Sequence, residues 1–400
     1  RIQSLLSDLT TNAQESYSGI RVIKSFVQEK AMMGFFRGNS AAYKTNALGL
    51  AKTEAIYFPS MALMIGLSTL VTIMVGALDV VNHPGDPDRI GTIVEFVMYI
   101  QMLTFPVSAI GWTASMTQRA VTSQRRINEF LQTAPAIKND EAAVRPPLTG
   151  DISFSDVSFT YPHTGIEAIK NFSLHIKAGQ KIAIVGRTGS GKSTIAQLLL
   201  RSYEPQQGII CYDGIPVNKI DLKQLRTQIS YVPQDVFLFS DTVSSNIGFG
   251  MHEMNSGAVI TAAKQASVHG EIEKFQEGYE TMIGERGVTL SGGQKQRISI
   301  ARALIKKPEI VLFDDCLSAV DARTENEIIS NLYQYLQNKT ALIITHRIFS
   351  LFHFDNIVVL DNGRIAEQGT HEQLIAKKGI YADMYARQQE QEKTGENIAN

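Results

Sequence analysis

Gly186-Arg187-Thr188-Gly189-Ser190-Gly191-Lys192-Ser193, followed by Thr194, is a run whose residue types suit the cradling of phosphate. It follows the apolar run Lys181–Val185, which reads as a strand, and precedes Ile195–Leu200, which reads as an apolar helix. The glycines let successive backbone N–H groups turn inward around an anion, and the helix N-terminus adds a positive dipole end. Lys192 can reach the β- and γ-phosphates of a nucleotide, and the Ser193 hydroxyl can ligate Mg2+. A second acidic site follows the apolar run Ile310–Phe313. There Asp314 stands at the C-terminal edge of an expected parallel strand, where a magnesium carboxylate is needed. Together these residues predict binding of ATP with Mg2+.

Holding such a loop requires an α/β domain, and residues 151–388 carry its pattern. Ile152–Phe154, Lys181–Val185, Ile310–Phe313, Ala341–Ile344 and Ile357–Leu360 are short β-branched runs. The central ones are continuous rather than alternating, as strands of a parallel sheet covered on both faces should be. Residues 135–150, polar and interrupted by prolines, read as a linker, and residues 389–400 as a polar, frayed tail.

The N-terminal third has another character. Ala55–Leu78 and Phe96–Gln118 are 24 and 23 residues long and carry no charge. At about 1.5 Å per residue either exceeds the roughly 30 Å hydrocarbon core of a bilayer. Residues 1–54 read as cytoplasmic helices with seven Lys or Arg, and Arg119, Arg125 and Arg126 follow the second span. Between the spans Arg89 is the only cation among four acids, so both outer ends are expected in the cytoplasm and residues 82–87 outside. With 400 residues, more than one core is expected, and a net charge of −1 gives no reason to expect a nucleic-acid partner. Cys211 and Cys316 make neither a disulfide framework nor a metal-ligand spacing. The chain opens at Arg1, inside apparent helix and without an initiator Met, so it is expected to be a fragment of a longer protein.

Leu290-Ser291-Gly292-Gly293-Gln294 is the signature of ABC-type ATPases, and the chain resembles that family throughout. The resemblance implies a helical transmembrane domain, the C-terminal part of a six-span exporter domain over residues 1–134, followed by an α/β P-loop domain of ABC type over 151–388. It implies that four further spans precede Arg1, and that a coupling helix lies near Ser25–Lys30. Tyr161 resembles the aromatic that stacks on adenine. Gln234 resembles the loop glutamine that touches Mg2+, and His346 the histidine that holds the γ-phosphate. Ser318 and Asp321 match the loop that crosses the dimer interface, and Glu285 lies in a segment similar to an exporter-specific loop. Two such domains close head to tail in this family, so Leu290–Gln294 of one chain would meet the ATP held by the other.

One position departs from the family pattern. The magnesium aspartate is usually followed by a glutamate that polarises water, and here Asp315 stands in that place. Its carboxylate is about 1.5 Å shorter in reach, a misplacement that can cost on the order of a hundredfold in rate. The expected function is therefore one half of an ATP-driven exporter of a lipid, drug or peptide-like compound in the bacterial inner membrane, its nucleotide domain cytoplasmic. Its own site is expected to be slow, and its partner to be a different half-transporter. Open alternatives are a homodimer using Asp315 as a weak base, and a non-hydrolysing regulatory subunit. Membrane lipids are the expected surroundings.

Overall fold

The computed structural model describes residues 1–83, 88–251, 253–284, 290–316, 322–346 and 354–399, with the side chains of residues 58, 322–326 and 391–399 set aside. Two compact units, Arg1–Ala134 and Pro135–Asn400, divide the chain.

The first unit is helical. It runs from α1 (Ile2–Ser18) through the short α2 (Ile20–Ser25) to α3 (Glu29–Asn82) and α4 (Asp88–Leu131). Both apolar segments seen in the sequence lie inside α3 and α4, which are long and apolar enough to cross a membrane. Leu63, Met64, Leu67 and Leu70 of α3 point outward, as side chains bound for lipid would. Hydroxyls in these stretches are satisfied locally: Thr104 Oγ1 donates to Ile100 O at 2.8 Å, and Ser108 Oγ to Thr104 O at 2.8 Å. The latter bond lies beside Pro106, which has no N–H to continue the ladder. Gly76 lets α3 and α4 approach, since a Cβ there would sit 2.5 Å from Ile93 Cγ1. Near their ends Asp79 pairs with Arg89 across the two helices. Over Ser25–Lys30, where a coupling helix was expected, Ser25 ends α2, Phe26, Val27 and Gln28 break the helix, and Glu29 and Lys30 open α3. The short helix is Ile20–Ser25, and Val27 at φ +53° turns the chain before α3 begins.

The second unit holds two sheets. Its elements are β1 (Ile152–Thr160), β2 (Glu167–Ile176), β3 (Lys181–Gly186), α5 (Lys192–Leu199), β4 (Gln207–Tyr212), β5 (Ile215–Pro216), α6 (Leu222–Gln228), β6 (Ile229–Val232), α7 (Val243–Gly248), α8 (Ser256–Gln265), α9 (His269–Ile272), α10 (Gly292–Leu304), β7 (Ile310–Asp314), α11 (Ala322–Tyr335), β8 (Thr340–Ile344), β9 (Asn356–Asp361), β10 (Arg364–Gly369), α12 (His371–Lys377) and α13 (Ile380–Ala399). The larger sheet has the order β10-β9-β3-β8-β7-β6, parallel except for β10. Every residue of β7, and Ile182–Gly186 of β3, is buried, as their continuous apolar runs predicted. Register places Ile184 beside Ile344 and Asp314 beside Ile344, so the C-terminal edges of β3, β8 and β7 line up.

The smaller sheet, β2-β1-β4-β5, is antiparallel and was read only as the fragment Ile152–Phe154. In β1 the buried residues are Ile152, Phe154, Val157 and Phe159, so the period of two slips by one at Ser155-Asp156. Asp156 takes φ +49° at this bulge. Residues 389–399, expected to fray, continue α13. Gln, Glu, Lys and Ala are good helix formers, and no proline stops the run.

The expected linker is instead strapped along the second unit. Asn139 Nδ2 donates to Asp221 Oδ2 at 2.9 Å, and Asn139 Oδ1 accepts from Leu222 N at 2.8 Å. Buried Arg201 donates to Lys138 O at 3.0 Å, while Val144 N donates to Lys219 O and Asp221 N to Val144 O, both at 2.9 Å. Gln228 donates to Pro146 O at 3.0 Å. Irregular backbone thus finds its partners in α6, the loop before it and Arg201 after α5. Asn139→Ala removes a donor and an acceptor from this strap, about 1–2 kcal/mol of local stability. Trypsin cleavage after Lys138 is expected to quicken roughly tenfold in limited digestion. An unchanged cleavage rate would show that the strap holds without Asn139.

Candidate functional site

The phosphate loop leaves the C-terminal end of β3 and enters α5. Gly191, which precedes the helix, takes φ +100°, and a Cβ there would lie 2.4 Å from Ala168 O. Only glycine fits. Lys192 Nζ folds back over the loop, donating to Gly186 O and Arg187 O at 2.8 Å each. Burial lowers its pKa, and the nearby carboxylates of Asp315 and Asp314 work against that shift. The ammonium is thus poised above the loop, held by carbonyls that a phosphate could replace.

Two carboxylates stand opposite. Asp314 ends β7, is 3 % exposed, and accepts from Ser193 Oγ at 3.1 Å and from Tyr231 Oη at 3.3 Å. Burial raises its pKa, while both hydrogen bonds and the Lys192 charge oppose the rise. Asp315 follows at φ +47°, its N–H donating to Ile344 O at 2.8 Å. Its side chain meets His346 Nδ1 at 2.9 Å and Gln234 Nε2 at 3.5 Å, the latter at the outer limit of a hydrogen bond. The three residues that the sequence placed around hydrolysis are therefore joined through Asp315.

Tyr161, Thr188, Gly189, Gly191–Thr194, Gln234, Asp314, Asp315 and His346 line one cleft of about 800 Å3. Gly186, Arg187 and Ser190 complete the loop behind them. The Tyr161 hydroxyl lies 3.0 Å from Thr194 Oγ1, and its ring meets Phe159 and Tyr203 edge-on at 4.9 and 5.3 Å. An aromatic ring beside a cationic loop suits a nucleoside triphosphate. Asp314, Ser193 and Gln234 offer hard oxygen donors that fit Mg2+, and Ser193 and Asp314 already lie within one hydrogen bond of each other.

Leu290–Gln294 is elsewhere, and none of its residues lines the cleft. Ser291 is the N-cap of α10, accepting from Gln294 N at 3.2 Å, while Gln294 Oε1 accepts from Ser291 N at 2.9 Å. This capping box leaves an exposed helix start. Ser318, Asp321 and Glu285 lie outside the described residues.

Three contributors escaped the sequence reading. Tyr231 sits on β6, a four-residue strand too short to signal itself, and burial together with Asp314 pushes its phenol pKa well up. Thr345 follows β8 and lines the cleft beside His346. Asn362-Gly363 makes the β9–β10 turn, with both residues at positive φ, and lines the cleft as well. An Asn-Gly pair after an apolar strand signals a hairpin. Nothing in it says that the turn faces a ligand.

Comparison with known proteins gives a consistent picture. Residues 1–107 match the family model described as the ABC transporter transmembrane region, and residues 169–318 match that described as ABC transporter. The chain is 41 % identical over 387 residues to a probable multidrug resistance ABC transporter ATP-binding/permease protein of Bacillus subtilis (strain 168), covering 97 % of this chain and 66 % of that protein. It is 37 % identical over 389 residues to an ATP-dependent lipid A-core flippase of Aromatoleum aromaticum, covering 97 % and 64 %. The chain thus spans slightly less than two thirds of the length of these relatives. A solved bacterial Atm1-family ABC exporter with ATP bound superimposes with a TM-score of 0.89 at 32 % identity, covering 97 % of this chain and 68 % of that one.

Tyr231→Phe tests the cleft independently of its motifs. The phenol fixes one Asp314 oxygen beside Ser193, and freeing that carboxylate to turn is expected to raise the Mg2+ concentration needed for nucleotide binding by up to about fivefold. A magnesium titration with a fluorescent ATP analogue measures it. No shift would place Tyr231 in the scaffold alone.

Proposed function

The chain belongs to the ABC transporter family, with membrane region and ATP-binding domain in one polypeptide, and from that premise we propose that it forms one half of an ATP-driven bacterial exporter. The observation that carries this reading is the cleft joining Lys192, Ser193, Asp314, Asp315, Gln234 and His346 in a chain that also contains two helices long enough to span a bilayer. The substrate class we infer is a lipid, drug or peptide-like compound. Drug and lipid follow from the names of the relatives, a multidrug resistance protein and a lipid A-core flippase.

Within this reading Tyr161 offers its ring to adenine, and the loop N–H groups with Lys192 neutralise the β- and γ-phosphates. Asp314, Ser193 and Gln234 would hold Mg2+, which would offset phosphate charge. Asp315 is the group that would take a proton from attacking water, oriented by His346 and Gln234. Its reach is short, and its carboxylate already lies against His346 Nδ1 at 2.9 Å. That supports slow turnover at this chain's own site while nucleotide binding is retained.

Ser291 and Gly292 are exposed and all of Leu290–Gln294 is clear of the cleft, which suits action on a nucleotide held by another chain. A capped helix start offers free N–H groups and a positive dipole end to such an anion. We infer pairing with a different half-transporter, so that this chain supplies a slow P-loop and the signature for its partner's faster one. The runner-up is a homodimer in which Asp315 acts as a weak base.

Three substitutions separate the two. Ser291→Arg puts a bulky cation at the signature and is expected to remove most ATPase activity of the assembled transporter. Asp315→Asn is expected to leave much of it in the asymmetric pair, and Asp315→Glu to raise turnover at the slow site. A homodimer needs both residues at every site, so there Asp315→Asn and Ser291→Arg become equally damaging. Near-complete loss in Asp315→Asn would sink the asymmetric reading.

A further inference from the structure

A charged cluster outside the cleft fixes the geometry of the exposed start of α10. Glu271 on α9 accepts from Gln294 Nε2 at 3.0 Å with one oxygen and from Arg297 Nη1 at 2.7 Å with the other. Arg297 is only 7 % exposed and is held by two further bonds, to Ser267 O at 2.9 Å and Gly293 O at 3.2 Å. Ser267 Oγ in turn accepts from Asn331 of α11 at 2.8 Å. Glu271 is therefore anchored to a buried cation, and that cation is anchored to backbone.

An ionised carboxylate accepts hydrogen bonds and donates none. Glu271 thus dictates which way round the Gln294 amide lies: its NH2 must face Glu271, and its oxygen must face Ser291 N–H, where it accepts at 2.9 Å. The reciprocal bond from Gln294 N to Ser291 Oγ, 3.2 Å, closes the capping box. Those two bonds use the N–H groups of Ser291 and Gln294. Gly292 N–H and Gly293 N–H, at the first two helical positions, have no intrahelical acceptor, and the Ser291 hydroxyl proton is not used by the cap.

We propose that Glu271 is a positioning residue for ATP hydrolysis: by orienting Gln294 it sets Gly292 N–H, Gly293 N–H and the Ser291 hydroxyl as three convergent donors for the γ-phosphate of ATP held by the partner chain. The proposal rests on the reading of Leu290–Gln294 as a signature acting on the partner's nucleotide. Glu271 touches no nucleotide itself and acts through Gln294.

The test uses the assembled transporter, with kcat and KM for ATP measured alongside ATP binding. Glu271→Gln permits the Gln294 amide to lie either way, and kcat is expected to fall roughly tenfold with KM within about twofold, because only donors to the transferring phosphate are misplaced. Gln294→Glu alone sets two carboxylates against each other and is expected to do similar damage. Combining Glu271→Gln with Gln294→Glu exchanges acid and amide. The amide at 271 then donates to the carboxylate at 294, which still accepts from Ser291 N–H, and kcat is expected to return to within about threefold of the parent. Ser291→Arg is the control. If Ser291→Arg stays active, the signature reading itself fails. If Ser291→Arg is inactive while Glu271→Gln keeps its kcat, or if the double variant is as poor as the two single effects multiplied, Glu271 has no positioning role. Should Glu271→Gln fail to accumulate, a double variant that accumulates without regaining kcat overturns the proposal equally.

Discussion

Asp314 is a carboxylate with almost no access to water, and Lys192 is an ammonium half withdrawn from it, facing the same cleft. Burial acts against the charged form of both, raising one pKa and lowering the other. Their mutual field, with the hydrogen bonds from Ser193 and Tyr231, recovers part of that cost. The remainder of the polar architecture follows from keeping these charges together. β3 delivers the loop and β7 delivers Asp314, with β8 between them, so that both charges reach the same edge of the sheet.

That constraint explains the division of labour between the two sheets. The parallel sheet is buried on both faces and brings its strand ends to one edge, where a ligand can meet residues from several strands. The antiparallel sheet contributes less chemistry and more support. Phe159 of β1 packs on Tyr161 and Tyr203, fixing an aromatic wall beside the cleft, and Ala168 of β2 crowds Gly191 at the loop. A flat aromatic and a left-handed glycine are thus both held by the antiparallel sheet, whose Glu167, Ala168 and Lys170 also line the cleft.

What the sequence made legible and what it hid follow from the same physics. Phosphate binding by backbone demands glycines at fixed spacing, so Gly186–Ser193 announces itself. Strands β3 and β7 were visible because burial on both faces makes them continuous apolar runs. Strand β1 was largely hidden because the bulge at Asp156 breaks its alternation, and β6 because four residues carry no period. Tyr231 could not be found without knowing that β6 lies beside β7, since a tyrosine in a short strand has no distinguishing neighbour pattern. The strap over residues 135–150 was invisible for a different reason. Its prolines and polar residues are those of a flexible linker, and only the complementary Asp221, Gln228 and Arg201, some 60 to 80 positions onward, make it ordered.

Asp315 has a backbone setting that bears on its history. At φ +47° it occupies the left-handed region, which aspartate enters several-fold more readily than most side chains. Aspartate and glutamate codons differ by a single third-position base, so mutation alone offers an easy route between them. Lengthening the side chain gains reach toward water but forfeits that local preference, a penalty under about 1 kcal/mol by the same enrichment. A conformational bias of this size is too weak to forbid the longer acid. It is large enough to tilt neutral drift, so the shorter acid can persist wherever fast turnover at this site confers no advantage.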